Sequence, residues 1–149
     1  MEKIITESFS ATQVAGQSFA REILAHKTQK TAVVLALKGD LGAGKTTFLQ
    51  GLAKGLGIRE VVNSPTFVIM KKFKIPSSNF KFFYHFDLYR LNSPDEVLQL
   101  DFQEIIFNPQ NIVAIEWPEK LGNLLPKNSM LINFSHLSED TREIVLDNF

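Results

Sequence analysis

The feature that most constrains the fold is a glycine-rich loop placed directly between an apolar run and a predicted helix. Residues 31–37 are almost all apolar and rich in β-branched side chains, which is typical of a buried parallel strand. From Lys45 to about Leu56, apolar side chains recur at helical spacing, and Gly57 follows as a stop signal. The segment between them matches the phosphate-binding pattern G-x-x-x-x-G-K-[ST] and reads Gly39-Asp40-Leu41-Gly42-Ala43-Gly44-Lys45-Thr46.

Each residue type in this loop has a chemical reason. The glycines let backbone N–H groups approach phosphate oxygens closely. Lys45 supplies a positive charge to the β and γ phosphates, and the Thr46 hydroxyl is a ligand for Mg²⁺. The hydroxyl of Thr47 is placed to donate to the α-phosphate. We therefore predict that residues 39–47 form a P-loop that binds a nucleotide with Mg²⁺.

The rest of the chain alternates helices and strands. The first element is predicted to be a helix that begins at Ser10, whose spacing to Gln13 fits a capping box, and ends near His26. A helix is predicted from Ser93 to about Phe107, with a break near Asp101. A β-hairpin is predicted at 67–74 and 80–86, and further strands at 111–115, 130–134 and 143–146. We predict an α/β class: a single-domain P-loop NTPase fold over residues 1–149, with a central, mostly parallel sheet, helices on both sides and a β-hairpin.

Composition excludes several functions. The 149 residues carry 16 Lys and Arg against 16 Asp and Glu, and this zero net charge argues against a protein whose main task is to coat nucleic acid. With no cysteine, disulfides, thiolate metal sites and cysteine nucleophiles are excluded. The longest apolar run, 32–37, is too short to span a bilayer. We expect a cytoplasmic protein without a signal peptide or membrane contact, monomeric when isolated.

Two acidic residues are candidates for the chemistry at the P-loop. Asp87 follows the apolar strand 82–86, and Glu116 follows the apolar strand 112–115. Either carboxylate can hold Mg²⁺ or orient a water molecule, and the residues alone leave this division open. Arg90, three residues after Asp87, either pairs with that carboxylate or acts at the γ-phosphate. His85 is interpreted as a strand residue that hydrogen-bonds near Asp87.

Other segments allow two interpretations each. The loop Ser64-Pro65-Thr66 is either a sensor of the γ-phosphate or an ordinary proline turn. Trp117, the only tryptophan, either stacks on a base or gates the pocket, or else it serves core or surface packing. The lysines of the hairpin either form a solvated face or a docking surface for RNA or a partner, and they are Lys71, Lys72, Lys74 and Lys81.

ATP is the predicted nucleotide. The strings Asn-Lys-x-Asp and Asp-x-x-Gly, expected of a GTPase, do not occur in the sequence. A small-molecule kinase is the alternative. Such an enzyme would need a lid and several arginines to clamp the phosphate of the acceptor, and the chain has only four arginines in all. A further alternative is a binding module that uses ATP as a switch for partners and scarcely hydrolyses it when alone.

Four motifs in register resemble the TsaE family, also called YjeE: Gly39 to Thr47, Ser64-Pro-Thr-Phe67, His85-Phe-Asp-Leu-Tyr-Arg90 and Ile115-Glu-Trp-Pro118. The resemblance implies an ATPase of tRNA threonylcarbamoyladenosine synthesis that docks on the TsaB–TsaD pair. In that system TsaD transfers threonylcarbamoyl to the adenosine beside the anticodon of tRNAs reading ANN codons. Contact with tRNA is then expected only indirectly, through the complex.

The resemblance also implies roles for individual residues. Thr46 and Glu116 would hold Mg²⁺, Asp87 would act in hydrolysis together with Lys45, and the loop from Ser64 to Thr66 would be a switch.

At the nucleotide itself, the resemblance places Trp117 beside the bound molecule and the adenine near Phe9 and Ser10. The chain departs from the family pattern after Leu100, where Asp101 replaces a frequent glycine and puts the local turn in question. Its C-terminus is also short.

Overall fold

A computed structural model describes residues 1–26, 29–63, 68–76 and 79–147. Within them the strands are β1 (Glu2–Thr6), β2 (Val33–Lys38), β3 (Met70–Lys74), β4 (Phe82–Asp87), β5 (Asn111–Glu116), β6 (Met130–His136) and β7 (Arg142–Leu146). The helices are α1 (Phe9–Ala25), α2 (Lys45–Gly55) and α3 (Phe102–Phe107), and 3₁₀ helices cover Pro94–Leu100 and Pro118–Leu124. No helix in this described part of the chain has the length and apolarity needed to cross a membrane.

The strands form one mixed sheet in the order β1-β7-β6-β2-β5-β4-β3. Strands β6, β2, β5 and β4 are parallel to one another, and β2 lies between β6 and β5. The outer strands β7 and β3 run antiparallel to the parallel strands beside them, and β1 pairs antiparallel with β7. The predicted α/β class, P-loop NTPase fold, central parallel strands and hairpin of β3 with β4 are therefore confirmed.

Helices cover both faces of the sheet, as predicted. On one face α1 and α2 pack over the strands, and the fully buried Phe48 and Leu52 of α2 contribute to this core with Leu35 of β2. On the other face α3 and the two 3₁₀ helices pack against Val34 and its neighbours. Because β2 is buried on both faces, its sequence is continuously apolar rather than alternating.

Helices α1 and α2 touch backbone to backbone through glycines. A Cβ atom added at Gly51 would lie 1.9 Å from the carbonyl oxygen of Gln13, and one at Gly16 would lie 2.1 Å from that of Phe48. Real Cβ atoms do not approach so closely, so glycine is required for this contact. The packing holds the first turn of α1 beside the start of α2, where the P-loop ends.

The prediction that the first element is a helix is wrong, because β1 precedes it. This strand is hydrogen-bonded only to β7 within the described sheet, a partner from the far end of the chain that no local pattern reveals. The predicted helix start at Ser10 is also wrong: α1 begins at Phe9, and the Ser8 hydroxyl accepts a hydrogen bond from the Ala11 N–H at 3.0 Å. Ser10 lies inside the first turn.

The region from Ser93 to Phe107 is broken at Asp101, as predicted. Ser93 caps the 3₁₀ helix, and its hydroxyl accepts from the Asp95 N–H at 3.4 Å. Asp101 has a φ of 59°, in the left-handed region that glycine adopts most easily, and α3 begins directly after it. The turn where the family pattern has glycine is thus made here by aspartate.

The hairpin lysines are exposed, whereas Phe73 between them is buried. The ammonium of Lys72 lies 3.9 Å from the centroid of the Phe82 ring, a cation–π contact on the outer strand β3. Lysines on a sheet edge also discourage pairing with other chains. This agrees with the solvated face, and the docking surface stays a prediction.

Candidate nucleotide site

The P-loop connects the carboxyl end of β2 to the first turn of α2. Its glycines have φ values of 152° at Gly39, 78° at Gly42 and 106° at Gly44. A Cβ at Gly39 would lie 2.7 Å from the carbonyl oxygen of Phe134, so a side chain has no room there. Gly44 occupies the N-cap of α2, which leaves the unpaired N–H groups and the positive end of the helix dipole at the loop.

Lys45 is buried beneath this loop. Its ammonium donates to the carbonyl oxygens of Gly39 and, at 3.3 Å, Asp40, and lies 4.1 Å from the centroid of the Trp117 ring. Burial lowers the pKa of Lys45, whereas Glu116 and then Asp87 act in the opposite direction. The lysine is therefore held inside the loop by acceptors that a phosphate oxygen can replace.

Trp117 has a left-handed backbone, with a φ of 60° and a ψ of 50°. This conformation directs the chain from β5 into the following 3₁₀ helix. The Trp117 ring lies between Lys45 and Tyr89, whose ring centroid is 5.2 Å away. Trp117 therefore packs against its neighbours beside the P-loop, and a role in stacking on a base or gating the pocket stays a prediction.

The two candidate carboxylates lie together. Asp87 and Glu116 are register partners at the carboxyl ends of β4 and β5. Glu116 is 3% exposed; its Oε1 accepts from the Thr46 hydroxyl at 3.4 Å, and its Oε2 lies 2.6 Å from Nε2 of His85. The prediction that His85 is a strand residue that hydrogen-bonds near Asp87 is therefore confirmed, and its partner is Glu116, which lies beside Asp87.

Asp87 is half-buried, and its Oδ1 accepts from the Tyr89 N–H at 3.1 Å. Burial raises the pKa of Asp87, and the nearby charge of Glu116 raises it further, against the opposing effects of the Tyr89 N–H, His85 and Lys45. A carboxylate of this kind is a better proton acceptor than an ordinary exposed aspartate.

A cavity of about 510 Å³ joins these groups. Of the residues predicted from the sequence, it is lined by Leu41 to Thr47, Asp87, Glu116 and Trp117. Gly39, Asp40 and Ser10 do not line the cavity. Ser64 and Thr66, predicted to contact the nucleotide, lie outside the described residues.

Further residues that line the cavity were not assigned from the sequence. They are Ser8 and Thr12 at the start of α1, Tyr89 after β4, Asp140 in the turn between β6 and β7, and Arg142 at the start of β7. Phe9, whose place the family resemblance implies, also lines the cavity. A Cβ at Gly44 would lie 3.7 Å from Cγ of Arg142. The turn itself fixes the Arg142 guanidinium, which donates to the carbonyl oxygen of Glu139 at 2.8 Å.

The residues beside the P-loop can be tested for their fit to a Mg²⁺ ion. In the described parts of the chain, three or more His, Asp or Glu side chains nowhere gather into a group that could hold a metal ion. Mg²⁺ is commonly held by one or two carboxylates, phosphate oxygens and water rather than by a protein cage. A buried Glu116 beside the Thr46 hydroxyl matches that donor set.

Comparison with known proteins agrees with this geometry. The family model described as threonylcarbamoyl adenosine biosynthesis protein TsaE matches residues 6–144. The chain is 38% identical over 146 residues to the tRNA threonylcarbamoyladenosine biosynthesis protein TsaE of Haemophilus influenzae, covering 98% of this chain and 88% of the relative. It is 42% identical over 118 residues to the protein of the same name from Bacillus subtilis, covering 77% and 69%. The crystal structure of Bacillus subtilis YdiB matches with a TM-score of 0.70 and 31% identity, covering 97% of this chain and 83% of that one.

Proposed function

The chain belongs to the family of threonylcarbamoyl adenosine biosynthesis protein TsaE, and from this premise we propose that it is a Mg²⁺-dependent ATPase acting on a TsaB–TsaD complex. In this role it supports formation of threonylcarbamoyladenosine next to the anticodon of tRNAs that read ANN codons. The observation that carries the proposal is the meeting of Thr46, Glu116 and Asp87 at one end of the P-loop cavity.

Nucleotide binding is assigned to the loop and Lys45. The N–H groups at the start of α2 and the helix dipole favour a phosphate chain at this position. Phosphate oxygens carry more negative charge than the carbonyls of Gly39 and Asp40, so the Lys45 ammonium exchanges these acceptors for the β and γ phosphates. The Thr47 hydroxyl, on the cavity lining, faces the α-phosphate.

Thr46 and Glu116 are the residues that would hold Mg²⁺. When bound, the ion neutralises negative charge on the phosphates and favours transfer of the γ-phosphoryl group. An ionised carboxylate as buried as that of Glu116 is costly without compensating charge and hydrogen bonds, and a cation on its open side supplies that charge.

Asp87 is the group proposed to act on the attacking water. Its carboxylate accepts a hydrogen bond from the water while the water oxygen bonds to the γ-phosphorus and the bond to the β–γ bridging oxygen breaks. The products are ADP and inorganic phosphate. The raised pKa of Asp87 favours this acceptor role.

The part of the cavity lined by Phe9 and Arg142 is assigned to the base and the ribose. Phe9 is an exposed aromatic residue at the start of α1, and Arg142 is the first residue of β7. A flat ring and a guanidinium are surfaces on which an adenine can stack. This assignment follows the position near Phe9 that the family resemblance implies, and Ser8, which lines the cavity, is proposed in place of Ser10.

The test measures phosphate release from ATP and Mg²⁺ by the purified chain, alone and with TsaB and TsaD, together with threonylcarbamoyladenosine formed on tRNA. We expect slow hydrolysis by the chain alone, faster hydrolysis with the partners, and tRNA modification that stops when Glu116→Ala replaces the wild type. Equal tRNA modification with and without the chain would contradict the proposal. A phosphorylated small molecule appearing in place of inorganic phosphate would identify a kinase.

A further inference from the structure

The Glu116 carboxylate is supported from inside the protein by a histidine that does not line the cavity. His85 is fully buried in β4, and its Nε2 lies 2.6 Å from Oε2 of Glu116. We propose that His85 is a positioning residue: it fixes the Glu116 carboxylate so that one oxygen is left for Mg²⁺. This inference rests on the proposed function, because it assigns a role within the same site.

The strand register places His85 where it can do this. His85 and Asp87 lie two residues apart on β4 and so project from the same face of the sheet. Glu116 is the register partner of Asp87 on the adjacent β5, so the histidine lies one step deeper along the neighbouring strand. The imidazole ring also stacks on Phe83, with centroids 6.5 Å apart and planes 9° apart. The ring is therefore held on one side while it bonds on the other.

Within the described part of the chain, this ring forms its side-chain hydrogen bond with Glu116. Carboxylate oxygens accept hydrogen bonds, so Nε2 carries the hydrogen and donates it. Nδ1 is buried and has no hydrogen-bond partner among the described residues. A buried, unpaired nitrogen is unfavourable, and an apolar ring like that of Phe83 would avoid it. Filling the core therefore does not explain a histidine at this position, whereas donation to Glu116 does.

The two oxygens of Glu116 then have separate partners. Oε2 is taken by His85, and Oε1 faces the Thr46 hydroxyl at 3.4 Å. Mg²⁺ requires near-ideal octahedral geometry, so the direction of its carboxylate ligand affects affinity strongly. Partners that hold a metal ligand in place typically contribute about 10- to 100-fold in metal affinity. We expect a loss of this size when the His85 donor is removed.

The experiment compares ATP binding in excess EDTA with ATP binding during a Mg²⁺ titration, by calorimetry. In His85→Phe the ring and its stacking on Phe83 are kept and the donor is lost. We expect unchanged affinity for ATP in EDTA and about a 10- to 100-fold higher Mg²⁺ concentration for half-maximal tightening. In His85→Gln the side-chain amide nitrogen can occupy the Nε2 position, so most of the Mg²⁺ response should return.

Two further variants separate positioning from packing. Phe86→Leu removes a fully buried ring from the opposite face of β4 and should lower thermal stability without changing the Mg²⁺ requirement. His85→Asn carries its amide nearer the Nδ1 position and cannot reach Glu116, so it should behave like His85→Phe. If His85→Phe does not fold, the Gln and Asn variants decide the question alone.

The role of His85 would be overturned by a wild-type Mg²⁺ requirement in the Phe variant, or by equal losses in the Gln and Asn variants. A different result would overturn the proposed function instead: wild-type protein whose affinity for ATP does not respond to Mg²⁺ at all. The two failures are therefore distinguishable.

Discussion

Asp87 and Glu116 are register partners on neighbouring parallel strands, so two carboxylates meet at one end of the sheet beside the P-loop. Parallel strands bring their carboxyl ends to the same edge, which is where open α/β sheets bind ligands. Glu116 lies deeper and contacts Thr46, while Asp87 is half-buried beside it. This difference in depth supports separate roles, with Glu116 as the proposed metal ligand and Asp87 as the proposed acceptor for the attacking water.

Replacing Asp87 by asparagine should separate catalysis from binding. The amide keeps the size of the side chain but cannot accept a proton from water, so hydrolysis should fall by about 10²- to 10⁴-fold. Affinity for ATP with Mg²⁺ should change little. Single-turnover phosphate release and calorimetric ATP binding measure the two effects, and parallel losses in both would contradict the assignment.

The same substitution should stabilise the fold at neutral pH. Because the pKa of Asp87 is raised in the folded protein, its ionised form is less favourable there than in the unfolded chain. Since the carboxylate is half-exposed and keeps part of its hydration, the gain from Asp87→Asn is at most about 1 kcal/mol. The gain should shrink as the pH falls from neutral toward the ordinary pKa of an aspartate and folded Asp87 becomes protonated. Urea unfolding at several pH values tests this, and a gain that grows toward acid pH would reverse the sign.

Glu116→Gln should remove the response to Mg²⁺ while leaving the fold intact. The amide oxygen still accepts from His85, but the negative charge that attracts the cation is gone. In EDTA we expect the variant to bind ATP as the wild type does. When Mg²⁺ is added, the gain in ATP affinity should be smaller than in the wild type by a factor of at least about 10. If Mg²⁺ tightens ATP binding to the variant as it does in the wild type, another group holds the ion.

Lys45→Met should weaken ATP binding by about 10- to 100-fold, because charge-assisted contacts to phosphate are lost. Thermal stability should be kept, since a buried ammonium is replaced by an apolar chain of similar length. The matched control is Lys54→Met in the last turn of α2, which removes an exposed lysine from the same helix. Calorimetry on both variants makes the comparison, and equal weakening in the control would show a nonspecific charge effect.

Gly51→Ala should destabilise the protein by about 1–3 kcal/mol, because the added methyl group would overlap the Gln13 carbonyl unless α1 moves away from α2. For a chain of this length, each kcal/mol lowers Tm by about 2–4 °C. Movement of α1 also displaces Phe9, so ATP affinity should fall as well. Lys54→Ala, an exposed substitution on α2, should change neither Tm nor affinity appreciably.

Some parts of the site could be predicted from the sequence because each lies within one continuous segment. Residues 39–47 carry their own signature between a strand and a helix. Asp87 and Glu116 each follow an apolar strand, and the rule that parallel strands end at one edge predicts that they meet. The break at Asp101 was visible for the same reason, since its flanking helical patterns are local.

The rest depends on contacts between distant segments. Arg142 and Asp140 reach the cavity only because the turn between β6 and β7 lies against the P-loop, and neither residue belongs to a motif. Strand β1 is five residues long, with few apolar positions, and its one strand partner in the described sheet is β7. Ser8 and Ser10 are both good N-cap residues, and the hydroxyl of Ser8 is the one that caps α1.

The pairing of β1 with β7 sets an order for assembly during synthesis. Thr6 leaves the ribosome first, and its register partner Arg142 follows 136 residues later. The Thr6 hydroxyl also bonds that of Thr12 at 2.7 Å, which ties this late pairing to the first turns of α1. The nascent chain therefore holds a P-loop long before it has a complete nucleotide cavity, and the full binding surface arises only as the last strand closes the sheet.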